Sequence, residues 1–455
     1  MKQQTIAAVA TPAGASGLGI IRISGPDALS VASRVFSAGS GKLLTRIPGY
    51  SALFGRVHNA REDLDEAVAL VFLAPKSYTG EDTVELSCHG GPFILQKVLR
   101  ACLDAGAAPA QPGEFSKRAF LNGKMTLTQA ESVMDLIASQ NDQAARAALG
   151  ALDGGIYRKI SAVSKQLIEL DGHLAAWVDF PEEDIEEVRL DRLSGQLREC
   201  MGELTSLLND FDKGKIIKNG VDTVIAGKPN VGKSTLMNLL AGYGKSIVTD
   251  IPGTTRDVVE ETIRLSGVIL NLADTAGLRD TADPVEIIGV ERTKSRLQSA
   301  GLVLAVFDNS ELLTGYDRQL LTLIAQRPCV AVINKSDLAG KLDTEEIKKK
   351  VSHVVTVSAK DGTGAKELEE EILTVLNLNH IEDSYALFIN ERQRQCTVLA
   401  VNYLNQALEA AVGLQTLDAV TVMIDSAIDA LLELTGEKAS EAVIDNVFSR
   451  FCVGK

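Results

Sequence analysis

Gly227-Lys228-Pro229-Asn230-Val231-Gly232-Lys233-Ser234 fits the pattern G-x-x-x-x-G-K-[ST] in full, and that pattern carries a mechanism. Two glycines let the backbone curl until its N–H groups and a helix N-terminus face phosphate oxygens. Lys233 reaches the β- and γ-phosphates, and the Ser234 hydroxyl can ligate Mg²⁺. The setting agrees. Val221 to Ala226 is a short β-branched, apolar run, and Thr235-Leu236-Met237-Asn238-Leu239-Leu240-Ala241 has helical spacing, so the glycines fall between a strand and a helix.

Four further segments follow in order. In Asp250-Ile251-Pro252-Gly253-Thr254-Thr255-Arg256-Asp257, Thr255 can place a hydroxyl on Mg²⁺ opposite Ser234. Asp274-Thr275-Ala276-Gly277 follows a predicted strand, so that Asp274 can hold the metal's water shell and the Gly277 N–H can contact a γ-phosphate. In Asn334-Lys335-Ser336-Asp337 the carboxylate can accept both hydrogens of the guanine edge, a pair that adenine lacks, and Ser358-Ala359-Lys360 supplies backbone over the base. The set predicts a guanine nucleoside triphosphate site. Leu278 comes next after Gly277, where Ras-like GTPases have a water-orienting Gln, and a leucine cannot do that work. A bound cation, another side chain or a partner protein must then supply the function. Asn230 could help hold a monovalent ion, Glu286 could act through water, and Arg256 and Arg279 could bring charge.

Composition bounds the rest. A chain of 455 residues with 45% hydrophobic content suits about three domains. The net charge of −14 speaks against broad neutralisation of nucleic-acid phosphates, so any RNA contact must use a local basic patch or a partner's charge. Ile6-Ala7-Ala8-Val9 is too short for a signal peptide's apolar region, and no apolar run approaches the ~18 residues of a membrane span, so a cytoplasmic protein is expected. Six scattered cysteines and five histidines without metal-ligand spacing predict neither a disulfide framework nor a zinc site.

The elements that must position these groups follow from periodicity. Up to about Gly123, Ile20 to Ser24, Ser51 to Val57, Ala67 to Leu73 and Thr83 to Ser87 read as strands, while Asp27 to Phe36 and Pro92 to Ala105 read as helices, giving an α+β domain. Gly14 to Gly19 has its glycines in the wrong order for a dinucleotide fingerprint and reads as a loop. Arg22, Glu85, Arg118 and Lys124 beside Gly-rich turns read as surface charges. Thr128-Gln129-Ala130-Glu131 reads as a capping box opening a long helical region through Ile168. After an acidic break at Asp179 to Asp184, a second helix has Leu190, Leu193, Leu197, Met201, Leu204, Leu208 and Phe211 on one stripe. Lys213-Gly214-Lys215 marks the start of alternating strands and helices with later strands at Leu270 to Ala273, Leu302 to Phe307, Val330 to Ile333 and Val354 to Val357, hence a doubly wound α/β sheet. Beyond Leu378, Val398, Val401, Leu404, Leu408 and Val412 form one helical face and Val420, Ile424, Ile428 and Leu431 another, with Gly436 as a cap and Val443, Val447 and Phe451 closing the chain. These helices need partners that the segment from Glu131 to Phe211 offers, which predicts a split helical domain with the nucleotide domain inserted in it. The terminal Phe451-Cys452 pair predicts a docked tail with a buried thiol.

The phosphate loop, Gly253 to Asp257, Asp274 to Arg279 and the terminal Cys-Val-Gly-Lys, together with Tyr78-Thr79-Gly80-Glu81-Asp82, Pro112 to Ser116 and Arg118 to Asn122, closely resemble the MnmE (TrmE) family of tRNA modification GTPases over essentially the whole length. Val453 stands where that family frequently has Ile. The resemblance implies a multidomain α/β plus α+β protein: an N-terminal folate-binding and dimerisation domain over 1–123, a helical domain in two parts over 124–214 and 378–455, and a Ras-like G domain over 215–377. It implies that Arg22, Glu85, Lys124 and Lys455 bind 5,10-methylenetetrahydrofolate, with the 5-formyl form as a stable analogue. It implies hydrolysis of GTP stimulated by K⁺ when two G domains meet. Asn230, Thr249, Ile251 and Thr254 would surround the K⁺, Ser234 and Thr255 would hold Mg²⁺, and Glu286 would position the attacking water. The nucleotide set completes with Val231, Gly232, Lys233, Thr235, Asp250, Asp274, Thr275, Ala276, Gly277, Asn334, Lys335, Asp337, Ser358, Ala359 and Lys360. Cys452 matches the family's terminal cysteine. The implied partners are a second copy of the chain, a FAD-dependent subunit of the MnmG type in a heterotetramer or larger assembly, and tRNA, whose wobble uridine gains a carboxymethylaminomethyl or aminomethyl group at C5. A GTP-gated assembly or ribosome-maturation factor is the alternative, and a folate pocket with a terminal cysteine argues against it.

Overall fold

In the computed structural model, which describes residues 4–179, 189–243, 261–265, 268–272, 297, 300–378, 390–413 and 416–455, strand alternation decides how the N-terminal region folds. Strands β1 (Ile6–Val9), β2 (Gly19–Ser24), β3 (Phe36–Ala38), β4 (Ser51–His58), β5 (Asp63–Phe72), β6 (Thr83–Cys88) and β7 (Ala108–Pro109) form a sheet of order β3-β4-β5-β6-β2-β1-β7, in which only β1 and β7 run parallel. Ile21, Ile23, Val71, Val84 and Leu86 point to one face and pack with helices α1 (Ala28–Val35) and α2 (Pro92–Asp104). Ile6 and Ala8, one residue out of phase, meet Phe115 of α3 (Glu114–Leu121) on the other. The expected strands and helices recur, with β5 starting at Asp63 rather than Ala67, and residues 14–18 form a loop as expected.

The helical region departs from its expected start. The capping box is Thr126 with Gln129: Gln129 N donates to Thr126 Oγ1 at 3.3 Å and Thr126 N donates to Gln129 Oε1 at 2.9 Å. Thr128 is buried inside the first turn instead. What was expected as one long helical region is α4 (Leu127–Ala138), α5 (Asp142–Leu152) and α6 (Gly155–Asp179), with Gly154 at φ +83° between the last two. Helix α7 (Leu190–Asn219) buries Leu193, Leu197, Leu204 and Phe211 as predicted, but Leu207 rather than Leu208 completes the stripe and Leu190 is exposed. It runs unbroken through Lys213-Gly214-Lys215. It ends at Gly220, at φ +76°, where a Cβ would meet Ile269 O at 2.6 Å.

The second sheet contains β8 (Val221–Ala226), β9 (Glu261–Leu265), β10 (Val268–Leu272), β11 (Leu302–Asp308), β12 (Cys329–Asn334) and β13 (Val354–Thr356) in the order β13-β12-β11-β8-β10-β9. All pairs are parallel except β9 with β10. Strand β11 is buried throughout. Leu302, Leu304 and Val306 pack with Leu236 and Leu240 of α8 (Lys233–Tyr243) and with Leu368 and Ile372 of α11 (Ala365–Val375). Val303, Ala305 and Phe307 face Leu320, Leu321 and Ile324 of α9 (Gly315–Ile324) and Ile347 of α10 (Thr344–Lys348). A sheet covered on both faces reads as continuous apolar strands, which is the doubly wound arrangement the sequence predicts.

Helices α12 (Glu391–Val412), α13 (Leu417–Thr435) and α14 (Glu441–Ser449) follow. In α12 the buried face is Cys396, Thr397, Ala400, Leu404, Ala407 and Ala411, rotated from the expected valine face, and Val412 is exposed. Small residues permit close helix approach and carry no strong apolar signal. The expected face of α13, Val420, Ile424, Ile428 and Leu431, is buried, and Gly436 at φ +95° caps the helix. Spatial proximity divides the chain into two units, one of 1–134, 151–202 and 395–455, the other of 135–150 and 203–394. No helix among the described residues is long and apolar enough to cross a membrane.

Helix α6 packs along α13 and brings Asp171 to Asp425. Asp171 Oδ1 is buried without a hydrogen-bond partner, and burial, reinforced by the Asp425 charge, pushes its carboxyl up to about 6. Protonation therefore favours the folded state: the contribution is complete below the ordinary carboxyl range near pH 4 and is lost as pH rises through about 6. Asp171→Asn is expected to stabilise the protein by about 1 kcal/mol at pH 7.5, after solvent screening, with no gain below pH 4. Urea unfolding at both pH values reads this, and equal effects at both would remove the carboxyl pair as the cause.

Candidate functional site

The carboxyl ends of parallel strands gather the groups the motifs name. Strand β8 has β10 on one side and β11 on the other, so the chain switches direction across the sheet there, and residues 227–232 emerge at that point into α8. Asn230 (φ +65°) and Gly232 (φ +96°) are both left-handed, and a Cβ on Gly232 would collide with Asn334 Nδ2. Val231 is buried and pins the loop from below. Lys233 Nζ donates to Gly227 O at 3.0 Å and Lys228 O at 2.9 Å, which lays the ammonium along the loop. Ser234 lies in the first turn of α8, and Leu236 N donates to Gly232 O at 2.9 Å, so that turn is formed. Thr235 follows on the exposed side.

The segments expected at the base converge on the same edge. Asn334, the last residue of β12, donates from Nδ2 to Val231 O at 2.8 Å and accepts at Oδ1 from Ala359 N at 3.0 Å. Asp337 is exposed, and its Oδ1 accepts from Ser358 Oγ at 2.9 Å. Ser358 N donates to Thr363 O at 2.9 Å and Gly362 N to Ser358 O at 2.9 Å, a tight turn that leaves Lys360 exposed. Lys335 sits at φ +62° with Nζ 2.6 Å from Asp308 Oδ2. The arrangement offers phosphate donors at one end and a carboxylate for a base at the other. Thr249, Asp250, Ile251, Thr254, Thr255, Arg256, Asp274, Thr275, Ala276, Gly277, Leu278, Arg279 and Glu286 lie outside the described residues.

The first sheet carries a second polar site. Arg22 and Glu85 are directly opposite in the β2–β6 register, and Arg22 Nε is 2.8 Å from Glu85 Oε1. Arg22 Nη1 donates to Gly454 O at 3.1 Å, and the guanidinium lies 5.4 Å from the Tyr78 ring centre and 5.6 Å from that of Phe115. The structure thus joins Arg22, Glu85 and the C-terminal tail. Lys124 Nζ instead donates to Pro75 O at 3.0 Å, in the loop that carries Tyr78, and Lys455 N donates to Cys452 O at 3.3 Å. Two expectations fail here. Cys452 is exposed, while Phe451 beside it is buried against Phe448, ring centres 5.2 Å apart, so the tail docks through its ring rather than its thiol. Arg118 is no surface charge: its side chain is 8% exposed, with Nη1 3.2 Å from both Glu81 oxygens and Nη2 2.7 Å from Glu114 Oε1. Two carboxylates around one guanidinium compensate its charge and make burial tolerable. Tyr78, Glu81 and Phe115 stand in the segments that carry the family resemblance, but the sequence alone assigns them no role at this site. Only Glu114, four residues before Arg118 on one helix, left a readable spacing.

A family model described as the MnmE helical domain matches residues 127–452, and one described as the GTP-binding protein TrmE N-terminus matches 5–124. The chain belongs to the MnmE (TrmE) family. The tRNA modification GTPase MnmE of Acetivibrio thermocellus is 41% identical over 459 residues, and that of Symbiobacterium thermophilum 43% over 462, each comparison covering 100% of both chains. Among solved structures, the G domain of the T. maritima FeoB iron transporter aligns with 34% of this chain and 98% of its own, at 29% identity and a TM-score of 0.26. Within the MnmE family pattern, Gly232→Ala is expected to weaken GDP binding at least about tenfold, since a left-handed residue with a Cβ costs about 1–2 kcal/mol before the Asn334 amide is displaced. Calorimetric titration with GDP reads this, and an unchanged affinity would show that the loop relaxes freely.

Proposed function

We propose that the chain hydrolyses GTP and, together with a FAD-dependent subunit of the MnmG type, uses a tetrahydrofolate one-carbon unit to build the carboxymethylaminomethyl or aminomethyl group at C5 of the tRNA wobble uridine. The observation that carries the reading is the meeting of the phosphate loop with the Asn334–Asp337 and Ser358–Lys360 turns through one buried amide, in a chain that matches MnmE relatives from end to end.

In this reading Asp337 accepts from the guanine edge, Ser358, Ala359 and Lys360 cover the base, and Lys233 with the 230–235 backbone offsets phosphate charge. Ser234 stands where it can ligate Mg²⁺ with Thr255, and the metal when bound supplies charge neutralisation between the β- and γ-phosphates. Asn230 with Thr249, Ile251 and Thr254 would hold K⁺, and Glu286 would take the water-orienting role that Leu278 cannot fill. Arg22, Glu85, Lys124 and Lys455 would bind the folate: the half-buried Arg22–Glu85 pair, with the Tyr78 and Phe115 rings beside the guanidinium, suits a flat, polar-edged ligand. Cys452, exposed two residues from the carbonyl that Arg22 holds, is presented at that site. We place the folate and dimerisation functions in 1–123 and the G domain in 215–377, inserted between helical parts 124–214 and 378–455. The working form is a cytoplasmic homodimer joined to the partner subunit and tRNA.

Mass spectrometry of nucleosides in tRNA from cells lacking the gene tests the modification role. The C5-modified wobble uridines should vanish, return with the parent gene and stay absent with Lys233→Ala; full modification without the gene would defeat the proposal. For hydrolysis, replacing K⁺ by Na⁺ should lower turnover at least about tenfold while GDP affinity changes little, because the cation acts on developing charge. Equal turnover in the two salts would remove K⁺ from the mechanism.

A further inference from the structure

Asp308, the last residue of β11, belongs to none of the motifs above, yet it is 2% exposed and fully engaged. Its Oδ1 accepts from Ser310 N at 2.8 Å and Ser310 Oγ at 2.7 Å, and its Oδ2 is 2.6 Å from Lys335 Nζ. Burial alone pushes this carboxyl up, but the Lys335 ammonium and the Ser310 donors outweigh it and hold the group below the ordinary carboxylate range. The neighbouring Asn309 donates its N–H to Asn334 O at 2.9 Å and its Nδ2 to Leu338 O at 3.4 Å. The end of β11 is thus bonded to both ends of the turn that carries Lys335 and Asp337.

The segment that Asp308 opens reaches the phosphate loop as well. Lys228 Nζ is 2.6 Å from Glu311 Oε2 and 3.7 Å from Asp317 Oδ2, and its side chain is 15% exposed. Asp317, 2% exposed, also accepts from Thr314 N at 2.8 Å and Thr314 Oγ1 at 2.7 Å, which fixes it at the start of α9. Lys228 is therefore committed to carboxylates, while the other lysine of its loop, Lys233, lies along the loop carbonyls. Within ten residues, 308–317, three carboxylates hold one ammonium from each half of the site.

We propose that Asp308 is a positioning residue for nucleotide binding: it fixes Lys335 in the base-reading turn, and the segment beginning with it fixes Lys228 of the phosphate loop, so the carboxylates of one ten-residue segment set both halves of the site together. The inference rests on the guanine-nucleotide reading and adds to it a residue outside the recognised motifs. Its physical basis is asymmetry. A buried pair breaks even against its desolvation, but removing one partner leaves the other charge uncompensated, and it must then move toward water. Asp308→Asn keeps the shape and the Ser310 bonds, so the loss falls on Lys335 and the turn around it.

The test uses the full-length protein and the release rate of a fluorescent methylanthraniloyl GDP in stopped flow. Asp308→Asn should release the nucleotide about ten- to a hundredfold faster, the loss of one charge-assisted hydrogen bond, and the defect should appear in KM for GTP more than in kcat. Asp308→Glu, which keeps the charge, should recover part of the loss. The double variant Asp308→Asn/Lys335→Met should be no worse than the poorer single one, because the two side chains act as a unit. Lys228→Met probes the other half with Asp308 intact, and faster release there by about tenfold supports the shared segment even if Asp308→Asn fails to fold. Release within about twofold of the parent in both Asp308→Asn and Lys228→Met overturns the inference while the parent's preference for GDP over ADP stands. A parent chain that holds the ADP analogue as firmly as the GDP analogue overturns the nucleotide reading itself.

Discussion

Both ends of the Asn334 side chain are spent inside the protein, on Val231 O and Ala359 N, and its backbone carbonyl accepts from Asn309 N. One buried amide thereby joins the loops that follow β8, β12 and β13. Such a link is required because loops leaving a parallel sheet are not bonded to each other by the ladder that aligns their strands. A buried amide tolerates little rearrangement, since each unmet donor or acceptor costs about 1–3 kcal/mol. The same amide makes Gly232 obligatory, for its Nδ2 occupies the space that any Cβ there would take. The phosphate loop is therefore shaped by its own glycines and by a residue about a hundred positions away, and the two constraints agree.

The first sheet solves a different problem, that of holding a guanidinium away from bulk water. Arg22 cannot face inward among the isoleucines of its own strand, so alternation sends it to the opposite face, where register delivers Glu85. A second donor, on Nη1, is met by Gly454 O, and this requires the end of the chain to be docked. Phe448 and Phe451 do that docking with Phe120, and Gly113 and Gly454 give the clearance, since a Cβ on either would strike backbone. The Arg118 pair with Glu81 and Glu114 then ties α3 to the loop that carries Tyr78. Arg22 is thus assembled from segments at both extremes of the sequence.

These two sites explain what was legible in the residues and what was not. The phosphate loop is readable because its geometry is local: positive φ at 232, a strand before it and a helix after it are all written between Val221 and Tyr243. The inner strands β11 and β12 are readable because burial on both faces leaves runs with almost no polar residue, whereas β9, with Glu261, Thr262 and Arg264, gives no such run and is absent from the sequence expectation. Arg118 was misread because the burial of a charge depends on partners, and Glu81 lies 37 positions away. The face of α12 was misplaced for the opposite reason, since Ala400, Ala407 and Ala411 pack as tightly as valines while contributing little apolar pattern. Thr126 and Thr128 both begin plausible caps, and their hydroxyls are 2.9 Å apart in the structure. Only the direction of Gln129 distinguishes them. Exposure of Cys452 follows from the ring of Phe451 taking the available pocket, a competition that composition does not record.

The amino end of the nucleotide sheet shows how its chemistry can be connected to the rest of its own unit. Helix α7 ends at Asn219, Gly220 turns the chain at φ +76°, and the six residues of β8 lead straight to the phosphate loop. At that end Asn141 Nδ2 donates to Ile217 O at 2.8 Å, Asn271 Nδ2 donates to Asn219 O at 3.0 Å, and Lys218 pairs with Asp135. Ala144 and Ala147 of α5 share one apolar cluster with Ile217, Val221 and Leu270. A strand of this length spans about 20 Å and is held on both sides by parallel neighbours, so it transmits displacement instead of absorbing it. Coupling in the physical sense needs an element with two arrangements as well as a stiff connection. The packing supplies the connection, because a shift at Gly227 that keeps the β8 ladder intact must also move Gly220, whose missing Cβ leaves no slack against Ile269 O.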